Sequence, residues 1–174
     1  MTSLKHELRQ MFDSGRSINL FDDTEHLEEG LLERIVNLSL LNPSVFPSQP
    51  WSALAVKSSL SKHKLAGLCG NDSIVVRSAV SLLILRSSCS PAEEFSHPLH
   101  ARALLATALM YACKYYAVDS HVVTTFDAEG IRKYFRIEPG LCIETLVCLG
   151  YFGGVRPLFS DPVAKRYSQI IKEI

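Results

Sequence analysis

Asn42-Pro43-Ser44-Val45-Phe46-Pro47-Ser48-Gln49-Pro50-Trp51 is the run on which the reading of this chain turns. Each of its three prolines fixes φ and lacks an N–H, and each pushes the residue before it toward extended geometry. The run therefore belongs neither to a helix interior nor to a central strand. What remains is a stiff loop carrying small hydroxyls, Ser44 and Ser48, with peptide groups kept out of regular ladders. It ends in the only Trp of the chain. A loop of this kind is suited to gripping a planar ligand.

Working outward, Leu27, Leu31, Ile35, Leu38 and Leu41 share one face of a helix that runs into the loop, with Asp22-Asp23-Thr24 offering its cap. Residues 3–13 form an earlier helix, with Leu4, Leu8 and Phe12 at four-residue spacing, and Ser14-Gly15 stops it. Ser17 to Phe21 is a short extended piece. Beyond the loop, Ser52 to Lys57 reads as a strand, Leu60 to Cys69 as a short helix and Gly70-Asn71-Asp72 as a turn. Ala79 to Leu85, interrupted only by Ser81, is an apolar run of strand length, as expected of a strand buried on both faces. Ser87 to Glu94 is loop. The longest helix begins near Pro98 and runs to Tyr116, and its alanines (Ala101, Ala103, Ala106, Ala108, Ala112) permit close backbone approach. Tyr111, Tyr115 and Tyr116 on it read as packing or interface residues.

His121 to Thr125 reads as the next strand, Asp127 caps a helix through Phe135, Glu138-Pro139-Gly140 turns the chain, and Cys142 to Tyr151 is the last clear strand. Gly153-Gly154 then releases a tail with a short helix from about Val163. Helices alternating with a few strands give an α+β class, a small sheet with helices packed on it. The strand order is not contained in the pattern.

The chain has 174 residues, enough for one domain. At this size roughly 70% of the unfolded surface is buried. Hydrophobic residues make up 47%, an excess that suits a further interface with a partner chain. Eighteen basic residues balance eighteen acidic ones, so no global field draws nucleic acid or an anionic membrane. The five cysteines include no C-x-x-C pair and sit mostly in apolar runs, which implies a reducing compartment. No apolar run reaches the ~18 residues of a membrane span, and the N-terminus lacks a signal-peptide pattern. These features together lead to the expectation of a cytoplasmic protein. The histidines show no metal-ligand spacing, His97 and His100 at a helix start forming at most half a site, so no metal is expected.

Three further stretches carry candidate chemistry. In Gly15-Arg16-Ser17-Ile18-Asn19-Leu20-Phe21, an Arg and a Ser at the entry to an extended segment can clamp a phosphate, the one by its planar fork and the other by its hydroxyl. In His121-Val122-Val123-Thr124-Thr125-Phe126-Asp127, two threonines lie between a strand and a helix cap. Leu146 to Pro157 includes Leu149-Gly150-Tyr151, and Lys165-Arg166 follows further on.

Taken together with the proline loop, these stretches resemble the nitroreductase family of FMN-dependent oxidoreductases, in the right order over roughly residues 12 to 166. The loop is similar to the family's Pro-Ser-Ser-x-Asn-x-Gln-Pro-Trp segment through Pro43, Ser44, Gln49, Pro50 and Trp51, with Val45 and Pro47 replacing its second Ser and its Asn. The N-terminal stretch resembles an Arg-Arg-Ser-x-Arg-x-Phe segment through Arg16, Ser17 and Phe21, with Gly15 and Asn19 replacing two arginines. Thr124 and Thr125 stand where family members carry small residues against the flavin ring. Leu149-Gly150-Tyr151 is like the family's final Leu-Gly-Tyr-Pro.

The resemblance implies a nitroreductase-like fold with a small, mostly antiparallel sheet. It also implies a single domain whose tail from about residue 152 embraces a partner subunit, in a homodimer holding FMN at the interface. The implied chemistry passes hydride from NAD(P)H through flavin N5 to a nitroaromatic, quinone or similar acceptor. By carry-over, Arg16, Ser17 and Arg166, with Asn19 and Lys165 beside them, hold the phosphate and ribityl end. Pro43, Ser44, Val45 and Pro47 lie along the ribityl chain and ring edge. Thr124 and Thr125 cover the ring, and Asn71 meets its pyrimidine edge. No catalytic side chain is nominated, because in such sites the flavin does the electron chemistry. Two missing cations, each worth roughly 1.5–3 kcal/mol to a phosphate, would weaken FMN by a factor of ~100 or more. Two alternatives stay open: a flavin-dependent dehydrogenase of a peptide-derived substrate with oxygen as acceptor, which can need a second kind of subunit, and a flavin-free structural or binding subunit.

Overall fold

The computed structural model describes residues 2–14, 17–41, 50–70, 72–87, 98–154 and 170. In chain order its elements are α1 (Thr2–Ser14), α2 (Leu31–Ser39), β1 (Trp51–Val56), α3 (Ser59–Leu68), α4 (Ser73–Arg77), β2 (Val80–Ser87), α5 (Pro98–Tyr115), β3 (Asp119–Val123), α6 (Ala128–Phe135) and β4 (Leu141–Gly150). The chain is thus α+β, as its pattern indicates. The expected loop beyond Ser87 and the expected tail helix from Val163 lie outside the described residues.

The strands make one sheet in the order β1-β2-β4-β3, and every pairing is antiparallel. Strand β2 is buried over seven consecutive residues, Val80 to Arg86, so both of its faces are covered. One face carries Leu83, Leu85, Val123, Leu146 and Cys148, packed against Leu65 of α3, Val75 of α4 and Ile131 of α6. The other carries Val80, Leu82, Ile84, Val147 and Leu149, packed against Ile35 of α2 and Leu109 and Cys113 of α5. Alternating residues of one strand serve two cores, which is why the Ala79–Leu85 run shows no polar alternation.

Local chemistry sets three of the helix starts. Asp127 caps α6 by accepting from the Gly130 amide at 3.0 Å, as its position before the helix predicts. Ser58 caps α3 by accepting from the Ser61 amide at 3.2 Å. Asp72, expected only as part of a turn, also caps a short helix, α4, through the Ile74 amide.

One expectation is overturned. Helix α2 does not begin at Asp22-Asp23-Thr24. The Asp22 carboxylate instead accepts from the amide and hydroxyl of Thr24 in a local turn. These two bonds, the hydroxyl's first, hold the Asp22 carboxyl below the usual carboxylate range. The backbone then enters α2 through Gly30, whose φ of 74° is the left-handed conformation that glycine adopts without steric cost. Strand β3 also starts and ends two residues earlier than expected, leaving Thr124 and Thr125 outside the ladder.

Among the described residues, two ion pairs are buried. Lys114, in the last turn of α5, binds the Asp119 carboxylate at the start of β3, and Asp119 also accepts from the Phe152 amide at 3.1 Å. Lys114→Met should therefore cost about 3 kcal/mol or more, because it removes the ammonium from a carboxylate that is 1% exposed. Urea unfolding of the purified variant checks this; a loss under about 1 kcal/mol would mean that the pair does not tie α5 to the sheet.

Candidate functional site

Ser17 and Asn19, both exposed, lie on a segment that follows the outer edge of the sheet. The Ile18 amide donates to the Ser120 carbonyl of β3 at 3.1 Å. Phe21, fully buried, then bridges Phe152. The Asp22 amide donates to the Tyr151 carbonyl at 2.8 Å, and the Gly153 amide donates to the Leu20 carbonyl at 3.2 Å. Arg77 Nε donates to the Phe21 carbonyl at 2.9 Å. The segment is thus strapped across the end of β4 onto β3.

Two glycines leave room for the strap. A Cβ on Gly150 would lie 2.8 Å from Phe21 Cδ1 and 3.1 Å from the Ala79 backbone N. A Cβ on Gly153 would lie 2.8 Å from backbone atoms of Phe21 and Asp22. Gly153, expected to be an ordinary turn glycine, is a close-packing residue.

Strand β3 leads from the strap to the two threonines. His121 donates from Nδ1 to the Ile18 carbonyl at 2.6 Å, and the same nitrogen lies 2.9 Å from Ser17 Oγ. Three residues on, about 10 Å along an extended strand, come Thr124 and Thr125. Both are exposed. The step they form is held at each end. Val123 pairs with Leu146 in the ladder. Phe126 packs on the core, and the Asp127 amide donates to the Leu68 carbonyl at 2.8 Å. The structure therefore places Ser17, Asn19, Thr124 and Thr125 along one edge. Arg16, Pro43, Ser44, Val45, Pro47, Asn71, Lys165 and Arg166 lie outside the described residues.

At the opposite edge, Pro50 closes the proline loop by accepting from the Ser87 amide at 3.0 Å, and Trp51 begins β1. An apolar cavity of about 100 Å³ opens there, lined by Trp51, Leu40, Ile84, Leu105 and Leu109 among others. Strands β1 and β3 are the outer strands of the sheet, three interstrand spacings or about 14 Å apart.

The surroundings offer little other reactive chemistry. Burial pushes the thiols of Cys113 and Cys148 up to about 12 and that of Cys69 to about 11, so none of them is a thiolate near neutral pH. Among the described residues no cluster of His, Cys, Asp and Glu could hold a metal ion, and no helix is long and apolar enough to cross a membrane. His121 touches the candidate residue Ser17 without having been singled out as a candidate in the sequence. Its partner Ser17 is 104 residues away, and no local spacing signals the contact.

Against known proteins, no family model and no curated protein matches the sequence. Solved structures do match. A nitroreductase-like protein of Streptococcus mutans superposes with a TM-score of 0.82 at 17% identity, over 98% of this chain and 99% of its own. A nitroreductase family protein of Streptococcus pneumoniae gives 0.76 at 18% identity, over 96% and 100%. A Staphylococcus epidermidis protein provisionally assigned as an NAD(P)H:FMN oxidoreductase gives 0.79 at 16% identity, over 95% of each chain. The chain has the nitroreductase-like fold over nearly its whole length.

Because the strap fixes Ser17, Gly153→Ala should destabilise the protein by about 1–3 kcal/mol and speed amide exchange at Ile18. Hydrogen exchange followed by NMR reads both effects; an Ile18 amide as protected as in the parent would mean that Gly153 does not seat the strap.

Proposed function

We propose that this protein is an FMN-dependent oxidoreductase working as a homodimer, taking hydride from NAD(P)H and passing it to a nitroaromatic, a quinone or a similar acceptor. The observation that carries the reading is one sheet edge, in a nitroreductase-like fold, that offers a fixed serine hydroxyl and, about 10 Å further along, a solvent-open pair of threonines. These residues fit a planar ring with a phosphate-tipped chain: Ser17 is a hydroxyl donor at one end, and Thr124-Thr125 is an uncovered step, rigid at both flanks, at the other.

In this reading Arg16, Ser17, Asn19, Lys165 and Arg166 hold the phosphate and ribityl end. Pro43, Ser44, Val45 and Pro47 line the ribityl chain and ring edge, Thr124 and Thr125 lie against the ring, and Asn71 meets the pyrimidine edge. When bound, FMN supplies the two-electron chemistry, accepting hydride and passing it on. The chain binds and orients. Thr124 and Thr125 can each donate a hydrogen bond, while their branched Cβ atoms keep a ring further from the backbone than glycine does.

Two features support a dimer. Leu4, Leu8 and Phe12 of α1 are 64%, 47% and 67% exposed, and Leu41 and Tyr115 nearby are also uncovered. Met11, Leu38, Leu41, Tyr111 and Tyr115 line a cleft of about 380 Å³ between α1, α2 and α5. An apolar face of this kind marks an interaction site. The second feature is the separation of Pro50 and Trp51, where the proline loop ends, from Ser17 and Thr124, which lie on opposite edges of the sheet. A single FMN is reached by both sets when the loop of one chain meets the β3 edge of another, with the tail from about residue 152 wrapping the partner.

The purified protein should be yellow or turn yellow with added FMN, with flavin bands in stoichiometry with chains, and NADH or NADPH should bleach them anaerobically. A colourless protein that ignores FMN would leave a flavin-free binding subunit. Leu8→Glu should give a folded monomer by light scattering and weaken FMN about tenfold or more, roughly 1.4 kcal/mol. A variant that stays dimeric would remove α1 from the interface.

A further inference from the structure

His121 stands on β3 with Nδ1 facing two oxygens at once, the Ile18 carbonyl at 2.6 Å and Ser17 Oγ at 2.9 Å. A carbonyl oxygen only accepts, so Nδ1 must carry the hydrogen. That assignment has a consequence for Ser17. A protonated Nδ1 has no lone pair, so the serine hydroxyl cannot donate to it and meets the ring only as an acceptor. The Ser17 hydrogen is therefore left to point away from His121. Ser17 itself is exposed, and the Ile18 amide fixes the segment to Ser120.

We propose that His121 is a positioning residue for a phosphate monoester. It pins Ser17 and Ile18 onto β3 and, by donating to one lone pair of the serine oxygen, keeps the serine hydrogen directed away from the ring and free to donate. Hydroxyls ordinarily rotate between donating and accepting; the bond from Nδ1–H restricts this one and leaves its hydrogen for a ligand. A donor prepared in this way matters more here than in a site rich in arginine, because Gly15 and Asn19 bring no charge to the same stretch. The inference rests on the flavin reading for the identity of the ester, but the ring assignment is independent of it.

The test compares FMN with riboflavin, which lacks the phosphate, on the full chain. In the parent protein FMN should bind more tightly than riboflavin, and the ratio of the two dissociation constants isolates the phosphate contribution. His121→Leu and Ser17→Ala should each lower that ratio about tenfold, and the double variant should lower it no further, because both remove one prepared donor. His121→Asn, whose amide hydrogen can replace Nδ1–H, should keep the ratio within about threefold of the parent. An unchanged ratio in His121→Leu, or additive losses in the double variant, would overturn the proposal.

Should His121→Leu not fold, nitrogen-15 NMR of the parent ring decides the matter: an Nε2–H tautomer with a bare Nδ1 sinks the idea. A parent that binds FMN and riboflavin equally well also defeats it, while leaving the flavin reading intact. A parent that binds neither flavin nor inorganic phosphate defeats both.

Discussion

The burial of β2 on both faces is the constraint on which the rest of the structure depends. A strand covered on one side only can alternate apolar and polar residues, but Val80 to Arg86 has no solvent side to give up. Each face must then be roofed by helices, α3, α4 and α6 on one side and α2 and α5 on the other. With the middle of the sheet closed, its exposed polar side chains are left to its rims. Ser17 and the threonine pair lie at the β3 rim, and Pro50 and Trp51 lie at the β1 rim.

Much of that framework is legible in the residues. The apolar run at Ala79 to Leu85, the long alanine-rich helix from Pro98 and the Asp127 cap each have a local physical signature, and each lies within a residue or two of its place in the structure. Asp22 misled because an Asp followed by Thr can cap a helix or close its own turn, and only the tertiary pull of the Tyr151 carbonyl on the Asp22 amide selects the turn. Strand β3 begins early because Asp119 is secured by Lys114 and by the Phe152 amide, the latter 33 residues away in sequence.

The candidate site was legible in part. Ser17, Asn19, Thr124 and Thr125 do fall on one edge. Their convergence arises from antiparallel pairing and from a strap that needs Gly150 and Gly153, and neither is a property of any short window. His121 was hidden for the same reason. It carries no motif, and its importance comes from facing Ser17 and Ile18 across the fold rather than from its neighbours in the chain.

The second buried ion pair bears on how the chain finds its register. Between Ile84 and Leu85 the pairing of β2 with β4 shifts, so that Ile84 faces Thr145 while Leu85 faces Ile143, and Glu144 is the extra residue. Its carboxylate meets Arg86 Nε at 2.7 Å, both side chains being under a tenth exposed. The hydrophobic residues of β2 and β4 are similar enough in size to tolerate sliding, but the charges are not. A one-residue slip exchanges the faces of a strand, which would part Glu144 from Arg86 inside an apolar interior at a cost of several kcal/mol. The register shift at Glu144 thus ties the alignment of β4 on β2 to a buried charge pair as well as to apolar contacts.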